Sequence, residues 1–221
     1  MSLLILILLS LSFVVTHIVM SAEPYRSRML DKLGEMGFRG VYSLVSILTL
    51  GGAVWFYASH RDLGPVLWEL PFYLAILPYL LMLLAIPMLL FSFLQRGPTA
   101  MIPGSWEVTG IKRVTRHPMN MSLALFGLAH LLAVGELGDA VFFSSFFIVG
   151  FFGAYHLDAR KSRELGEQYA EFKSQTSVFP FAAILTGKNK LDLSEFNKPL
   201  LIASVVIYVL LVIFHGRLFG D

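Results

Sequence analysis

Six apolar stretches, each close to the length that crosses a bilayer, constrain the fold of this sequence most strongly. A bilayer core of roughly 30 Å needs about 20 apolar residues in helical form. The runs are continuous, mean hydropathy is +0.71 and only 14% of the residues are charged. We therefore predict an all-α, polytopic membrane protein, one domain over residues 1–221, with about six transmembrane helices near 2–22, 39–59, 72–94, 118–135, 140–157 and 199–216.

The fourth and fifth stretches are short and are separated only by the turn "VGELGD", which predicts a helical hairpin. The longest polar segment, 158–198, begins as an amphipathic helix with Leu165, Tyr169 and Phe172 on one face. It continues as "SVFPFAAILTGKNKL", which is too short to span and is predicted to lie in the interface or to re-enter. The whole segment is either a linker on the membrane surface or a lid over a cytoplasmic-side pocket.

The basic residues predict the orientation. Of the 17 lysines and arginines, 15 fall in the connections after the first, third and fifth stretches. The positive-inside rule places these connections in the cytoplasm and both termini outside, as in a multi-pass protein of the inner (plasma) membrane. The basic groups are expected to meet lipid headgroups, so they require no nucleic-acid partner. Protein partners cannot be named from the sequence.

Two histidines lie within apolar stretches, far from other charges. An ionisable residue inside a membrane helix is a functional hypothesis by default, and this applies to His17 and His130. One interpretation is a neutral imidazole bonded to a serine or a carbonyl. The other is a shared ligand, because two imidazoles can hold a haem iron from both faces. By contrast, His60 and His215 are predicted to be interfacial, and His156 to cap its helix.

The stretch "TRHP" before the fourth helix predicts a separate site. Thirteen residues separate His117 from His130, which places them roughly 140° and 20 Å apart on one helix. We predict that Arg116 and His117 lie against segment 158–181 and form a cytoplasmic-side site with Asp158 and Tyr169. The alternative is simple anchoring at the interface.

Three segments in order resemble one known family. "WEVTGIKRVTRHPMNMSLALFGLAH", "TSVFPFAAILTGKNKL" and "FRGVYSLVS" are similar to the NnrU family, most of all to its carotenoid branch, the 15-cis-zeta-carotene isomerase (Z-ISO) type, from about His17 to Leu191. The resemblance implies a haem b held by two histidines, which carry over onto His17 and His130. It also implies either cis–trans isomerisation of a carotenoid-like polyene or a denitrification-associated role. One departure is Gly127, where the isomerase branch has a cysteine.

A weaker resemblance gives a second hypothesis. "RHP", a hairpin and "LGEQYAEF" are similar to the isoprenylcysteine carboxyl methyltransferases, which implies S-adenosylmethionine bound near Arg116, His117 and Tyr169. A third hypothesis is a non-enzymatic assembly or regulatory membrane protein. Under the haem hypothesis the porphyrin lies between the first and fourth helices. The phenylalanine-rich fifth helix then either flanks it or faces lipid; its rings are Phe142, Phe143, Phe146, Phe147, Phe151 and Phe152.

Overall fold

The computed structural model describes residues 1–100, 102 and 104–219, the last of these by its backbone alone. The described residues are helical, with two isolated β-bridges and no longer strand among them. In chain order the helices are α1 Ser2–Ser21, α2 Tyr25–Ser59, α3 Ile76–Leu94, α4 Ile111–Val114, α5 Pro118–Ala133, α6 Leu137–Gln175, α7 Ala182–Leu185 and α8 Lys198–Phe219. The short 3-10 turns Phe72–Leu74 and Leu193–Glu195 lie between them.

The all-α membrane class is confirmed. Within the described part of the chain, five helices are long and apolar enough to cross a bilayer, and α5 is a shorter apolar helix. Two boundaries differ from the prediction. Helical residues of α2 begin at Tyr25 rather than near 39, but Gly34 has φ +67° and ψ 175°, so a short polar helix is joined there by a kink to the apolar helix. The fifth helix continues past 157, and the amphipathic stretch that follows is interrupted by a kink at Gly166 before it ends at Gln175.

The α5–α6 hairpin is closely packed because each helix offers a glycine to the other. A Cβ added to Gly127 of α5 would lie 2.6 Å from the backbone nitrogen of Phe147. A Cβ added to Gly150 of α6 would lie 2.4 Å from the backbone oxygen of Asn120. Membrane helices use small residues in this way because dispersion contacts, rather than exclusion of water, hold them together. The hairpin is the central unit of the bundle, with α1 on α6 and α3 on α5.

The inner faces of the helices form two apolar clusters. One lies among α3, α5 and the residues before α8, and includes Met88, Phe91 and Met121. The other joins α1, α2 and α6 through Leu6, Phe56 and the rings of Phe142, Phe143 and Phe146. Phe142, Phe143 and Phe146 of α6 are therefore core residues. Of the six phenylalanines named in the sequence analysis, only Phe152, at 54% exposure, faces outward.

The orientation of the bundle is a testable prediction. If α5 crosses together with the five longer helices, both termini lie on one side, and the distribution of basic residues predicts that this side is non-cytoplasmic. Alkaline phosphatase fused to the C-terminus should be active, whereas green fluorescent protein at that position should be dark. A fusion at Lys190, in the basic connection before α8, is the control and should behave in the opposite way. Fluorescence of the C-terminal fusion would reverse the assigned orientation.

Candidate functional site

Asp158 is the centre of a buried polar cluster at one end of the hairpin. Its carboxylate accepts a hydrogen bond of 2.6 Å from the Tyr169 hydroxyl, and His117 Nε2 lies 2.6 Å from Oδ1. Arg116 approaches edge-on, with Nε 3.0 Å from Oδ1 and Nη2 in contact with Oδ2. Tyr169 is 0%, His117 1% and Arg116 7% exposed, so the charge pair is shielded from water. The structure thus brings together all four residues of the predicted cytoplasmic-side site.

A glycine allows α6 to complete this cluster. Asp158 and Tyr169 are eleven residues apart, a distance of roughly 16 Å along a straight helix. They touch because Gly166 adopts φ +54° and ψ −130°, a backbone conformation that side chains with a Cβ rarely take, and the helix changes direction there. Lys173 Nζ, 3.4 Å from Ser162 Oγ, makes a second contact across the same bend.

The chain after α6 pairs with the entrance to α5. The Arg116 amide donates to the Ser177 carbonyl at 2.9 Å, and the Phe181 amide donates to the Val114 carbonyl at 2.8 Å. Thr115 Oγ1 donates to the Val178 carbonyl at 2.6 Å. Segment 176–181 is therefore fixed against the hairpin. It is neither a free surface linker nor a re-entrant helix, since α7 is a single turn.

His117 has one nitrogen in the cluster and one outside it. Burial lowers the pKa of His117, and the contact with Asp158 opposes this shift only in part. Since the carboxylate can only accept, Nε2 carries a proton. The other ring nitrogen, Nδ1, is buried and has no hydrogen-bond partner.

A second ion pair fixes the loop beside this cluster. Arg113 donates to the Glu195 carboxylate through Nε and Nη2, both at 2.6 Å, and the Gly110 amide donates to it at 2.8 Å. These bonds lower the pKa of Glu195 to about 2. They connect the turn before α8 to α4, and so close the cytoplasmic end predicted for the bundle.

His17 lies in a groove between α1 and α6. The groove has a volume of about 450 Å³ and is lined by His17, Ile18, Ser21, Phe152, Gly153, Tyr155 and His156. The His17 ring packs at 5.0 Å from the ring of Tyr42, and its Nδ1 is buried without a hydrogen-bond partner. His156, predicted only as a helix cap, is thus a second imidazole on the same groove.

His130 lies elsewhere, near the other end of the hairpin. Its ring stacks on Phe143 at 4.5 Å, and its Nδ1 lies 2.9 Å from the Phe126 carbonyl. The nearest imidazole in contact with it is His215 of α8, with 6.2 Å between ring centroids. His215 was predicted only to lie at the membrane interface, so its contact with His130 was not predicted.

The structure does not bring His17 and His130 together. His130 packs at the level of Phe143, and the groove of His17 at the level of Phe152, nine residues or roughly 14 Å further along α6. Three phenylalanine rings lie between the two imidazoles: Phe13, Phe146 and Phe126. One iron needs ligand nitrogens only about 4 Å apart. This arrangement therefore does not fit both histidines as ligands of a single haem.

Several groups at these sites were missed from the sequence. Gly166 was visible within the amphipathic stretch, where a glycine that interrupts a helical pattern can mark a bend. Tyr42 and His156 gave no such signal, because only the packing of α1 against α2 and α6 places them at the groove.

Comparison with known proteins places the chain in a family. The sequence profile described as "NnrU protein" matches residues 5–221. The 15-cis-zeta-carotene isomerase of Zea mays is 28% identical over 203 residues, which are 88% of this chain and 54% of that protein. The enzyme of the same name from Arabidopsis thaliana is 29% identical over 168 residues, 72% of this chain and 45% of that protein.

The chain thus spans about half the length of the curated relatives it matches. No solved structure matches it. Because the family profile covers nearly the whole sequence, from residue 5 to residue 221, the chain belongs to the NnrU protein family.

Proposed function

We propose that this protein is a membrane-embedded cis–trans isomerase of a long, apolar polyene. The observation that carries the proposal is the groove between α1 and α6, which opens inside the membrane-spanning part of the bundle. The relatives named as isomerases of 15-cis-zeta-carotene support the substrate class.

The groove has the features that such a substrate requires. Ile18, Phe152 and Tyr155 supply apolar and aromatic walls, and Phe152 and Tyr155 are 54% and 43% exposed, so a polyene can enter sideways from the bilayer. A volume of about 450 Å³ is within the usual range for small-molecule sites. Isomerisation changes no atoms: one double bond loses its π character while the chain rotates. The groove residues would hold the polyene on both sides of that bond and exclude water.

The experiment is an isomerisation assay in the dark, because light alone isomerises polyenes. Membranes that contain the protein, supplied with 15-cis-zeta-carotene, should convert it to the trans isomer at that bond. Membranes from cells that lack the protein are the control. Chromatography of the extracted isomers measures the conversion, and equal isomer ratios in the two membranes would refute the proposed function.

Haem binding stays a prediction, and His130 is the better supported of its two proposed ligands. A carbonyl can only accept, so the contact with Phe126 puts the proton of His130 on Nδ1 and leaves a lone pair on Nε2, as in many metal-bound histidines. His215 is the imidazole in contact with His130, with 6.2 Å between the ring centroids, so these two residues would hold the haem, whereas His17 packs roughly 14 Å away along α6. When bound, the iron would supply a Lewis acid or a one-electron partner.

The visible spectrum of the purified protein tests this prediction. We expect a Soret band in the wild type after expression with ample haem, and its loss in His130→Ala. His215→Ala should lose the low-spin spectrum, and His17→Ala should retain it. The reverse pattern, with loss in His17→Ala and none in His215→Ala, would return the ligand role to His17. The absence of a Soret band in the wild type would contradict haem binding altogether.

The methyltransferase hypothesis has less support. The groups expected to bind S-adenosylmethionine are Arg116, His117 and Tyr169, and all three are buried and bonded to Asp158. A cofactor would have to displace that carboxylate. We therefore do not propose this activity, nor the denitrification role, which no contact in the described residues favours.

A further inference from the structure

A cluster of charged side chains lies one helical turn beyond the groove, where the end of α1 and the start of α2 meet the middle of α6. Arg160 follows His156 by four residues on α6, and Arg26 approaches it from the start of α2, close enough for the two guanidinium groups to repel each other. Both side chains are partly buried, at 18% and 20% exposure. The cluster does not belong to the groove lining or to the Asp158 site.

The nearby carboxylates do not accept hydrogen bonds from these two arginines. Glu164 is shared by three cations: it accepts a hydrogen bond of 2.8 Å from Lys161, and it lies 3.6 Å from Arg160 and 3.8 Å from Arg26. The last two distances are too long for hydrogen bonds. Glu23, which also acts on Arg160, uses its carboxylate to accept from the Ser27 amide at 3.2 Å.

The arginines also carry unused donors. Nε of Arg26 and Nε of Arg160 are both buried and have no hydrogen-bond partner. A buried donor without an acceptor is unfavourable, and like charges held side by side add to that cost. A group with several anionic oxygens would relieve both, because the Nε–Nη edge of a guanidinium binds phosphate through two parallel hydrogen bonds.

We propose that Arg26 and Arg160 form a binding site for the phosphate of an anionic phospholipid. The site lies at the end of the bundle where the basic residues concentrate, which the positive-inside rule assigns to the cytoplasmic leaflet. Anionic lipids are enriched in that leaflet, and basic pockets between helix ends bind their headgroups. Exposed apolar residues in the last turn of α1, such as Val19 at 39% exposure, are available to pack against the acyl chains.

Charge balance favours this occupant over a carboxylate side chain of another protein. Arg26, Arg160 and Lys161 share Glu164, Arg26 and Arg160 also interact with Glu23, and Arg163 adds a further positive charge that acts on His156. Four cations and two acids leave a surplus of two positive charges. A phosphodiester with its own hydrocarbon chains neutralises part of this surplus without removing the neighbouring apolar surface from lipid.

The test measures lipid binding to the full chain by native mass spectrometry from detergent. Phosphatidylglycerol and phosphatidylcholine with the same acyl chains are the two probes. The variant is Arg26→Gln with Arg160→Gln. The control is Arg28→Gln with Lys32→Gln, which removes the same charge from exposed positions on the same end of α2. A separate arm adds inorganic phosphate at millimolar concentration to the phosphatidylglycerol complex.

We expect the wild type and the control to prefer phosphatidylglycerol by about tenfold or more. The Arg26/Arg160 variant should lose that preference, since it removes the two guanidinium groups that bind the phosphate, whereas the control removes the same charge from positions outside the site. Inorganic phosphate should leave the lipid bound. Equal lipid preference in both variants, or equal loss in both, would overturn the proposal. Displacement of the lipid by inorganic phosphate would also overturn it and would indicate a site for free anions.

Discussion

Asp158→Ala should lower the free energy of unfolding by about 3–5 kcal/mol, because it leaves the buried guanidinium of Arg116 without its counter-ion. The hydroxyl of Tyr169 and Nε2 of His117 lose their acceptor in the same step. The midpoint of unfolding by sodium dodecyl sulphate, followed by loss of helical circular dichroism, measures the effect. Segment 176–181 should also become sensitive to protease, since Arg116 donates to the Thr176 carbonyl at 3.0 Å.

The other aspartate of α6 is the matched control. Asp139 accepts a hydrogen bond of 2.6 Å from the Tyr57 hydroxyl, so Asp139→Ala should cost only about 0.5–1.5 kcal/mol. In the double variant Arg116→Met with Asp158→Leu, part of the loss should return, because an apolar pair replaces the buried charges. If Asp158→Ala lowered the free energy of unfolding no more than Asp139→Ala does, the cluster would not be what holds segment 176–181 against the entrance to α5.

Gly127→Ala and Gly150→Ala should each destabilise the hairpin by about 1–3 kcal/mol, the usual effect of overpacking. The added Cβ would meet backbone atoms of the facing helix, at 2.6 Å for Gly127 and 2.4 Å for Gly150, and backbone cannot rotate away. The helices must therefore separate. The same 2.6 Å distance leaves no room for a cysteine at 127, because cysteine carries that Cβ and a sulfur as well.

Gly51→Ala in α2 is the control for helix propensity. A Cβ at Gly51 meets nothing within 4 Å, so this change should be neutral or stabilise the helix by about 0.5–1 kcal/mol. Because the two hairpin glycines act on the same interface, the double variant should deviate from additivity. Stability of Gly150→Ala equal to that of Gly51→Ala would mean that α5 and α6 do not pack as closely as described.

The sequence was sufficient for the helices and for one of the sites. Continuous apolar runs predict spans directly, and the short turn after α5 predicts the hairpin. The sequence also predicted that Arg116 and His117 approach Asp158 and Tyr169. A helical hairpin brings the chain back to the side of the membrane on which it began, so the amphipathic helix after the hairpin lies near the basic residues before it. The role of these four residues as a binding site stays a prediction.

The features that were not predicted from the sequence depend on packing between helices that are distant along the chain. The buried phenylalanines of α6 cannot be told from lipid-facing ones by pattern, since lipid is as apolar as a helix interface. The pairing of His17 with His130 rested on their shared isolation within apolar helices. That isolation does not reveal that one packs at Phe143 and the other beside Phe152. The bend at Gly166 determines which residues in the last part of α6 reach back to Asp158.

The dark isomerisation rate of Ile18→Trp, compared with that of Val15→Trp, tests the central claim most directly. Both changes place a tryptophan on α1, but Ile18 lines the groove whereas Val15, 53% exposed, is not one of its lining residues. If the polyene binds between α1 and α6, Ile18→Trp should slow conversion of 15-cis-zeta-carotene about tenfold or more, while Val15→Trp retains the wild-type rate. Equal rates for the two variants would contradict the groove as the site of isomerisation.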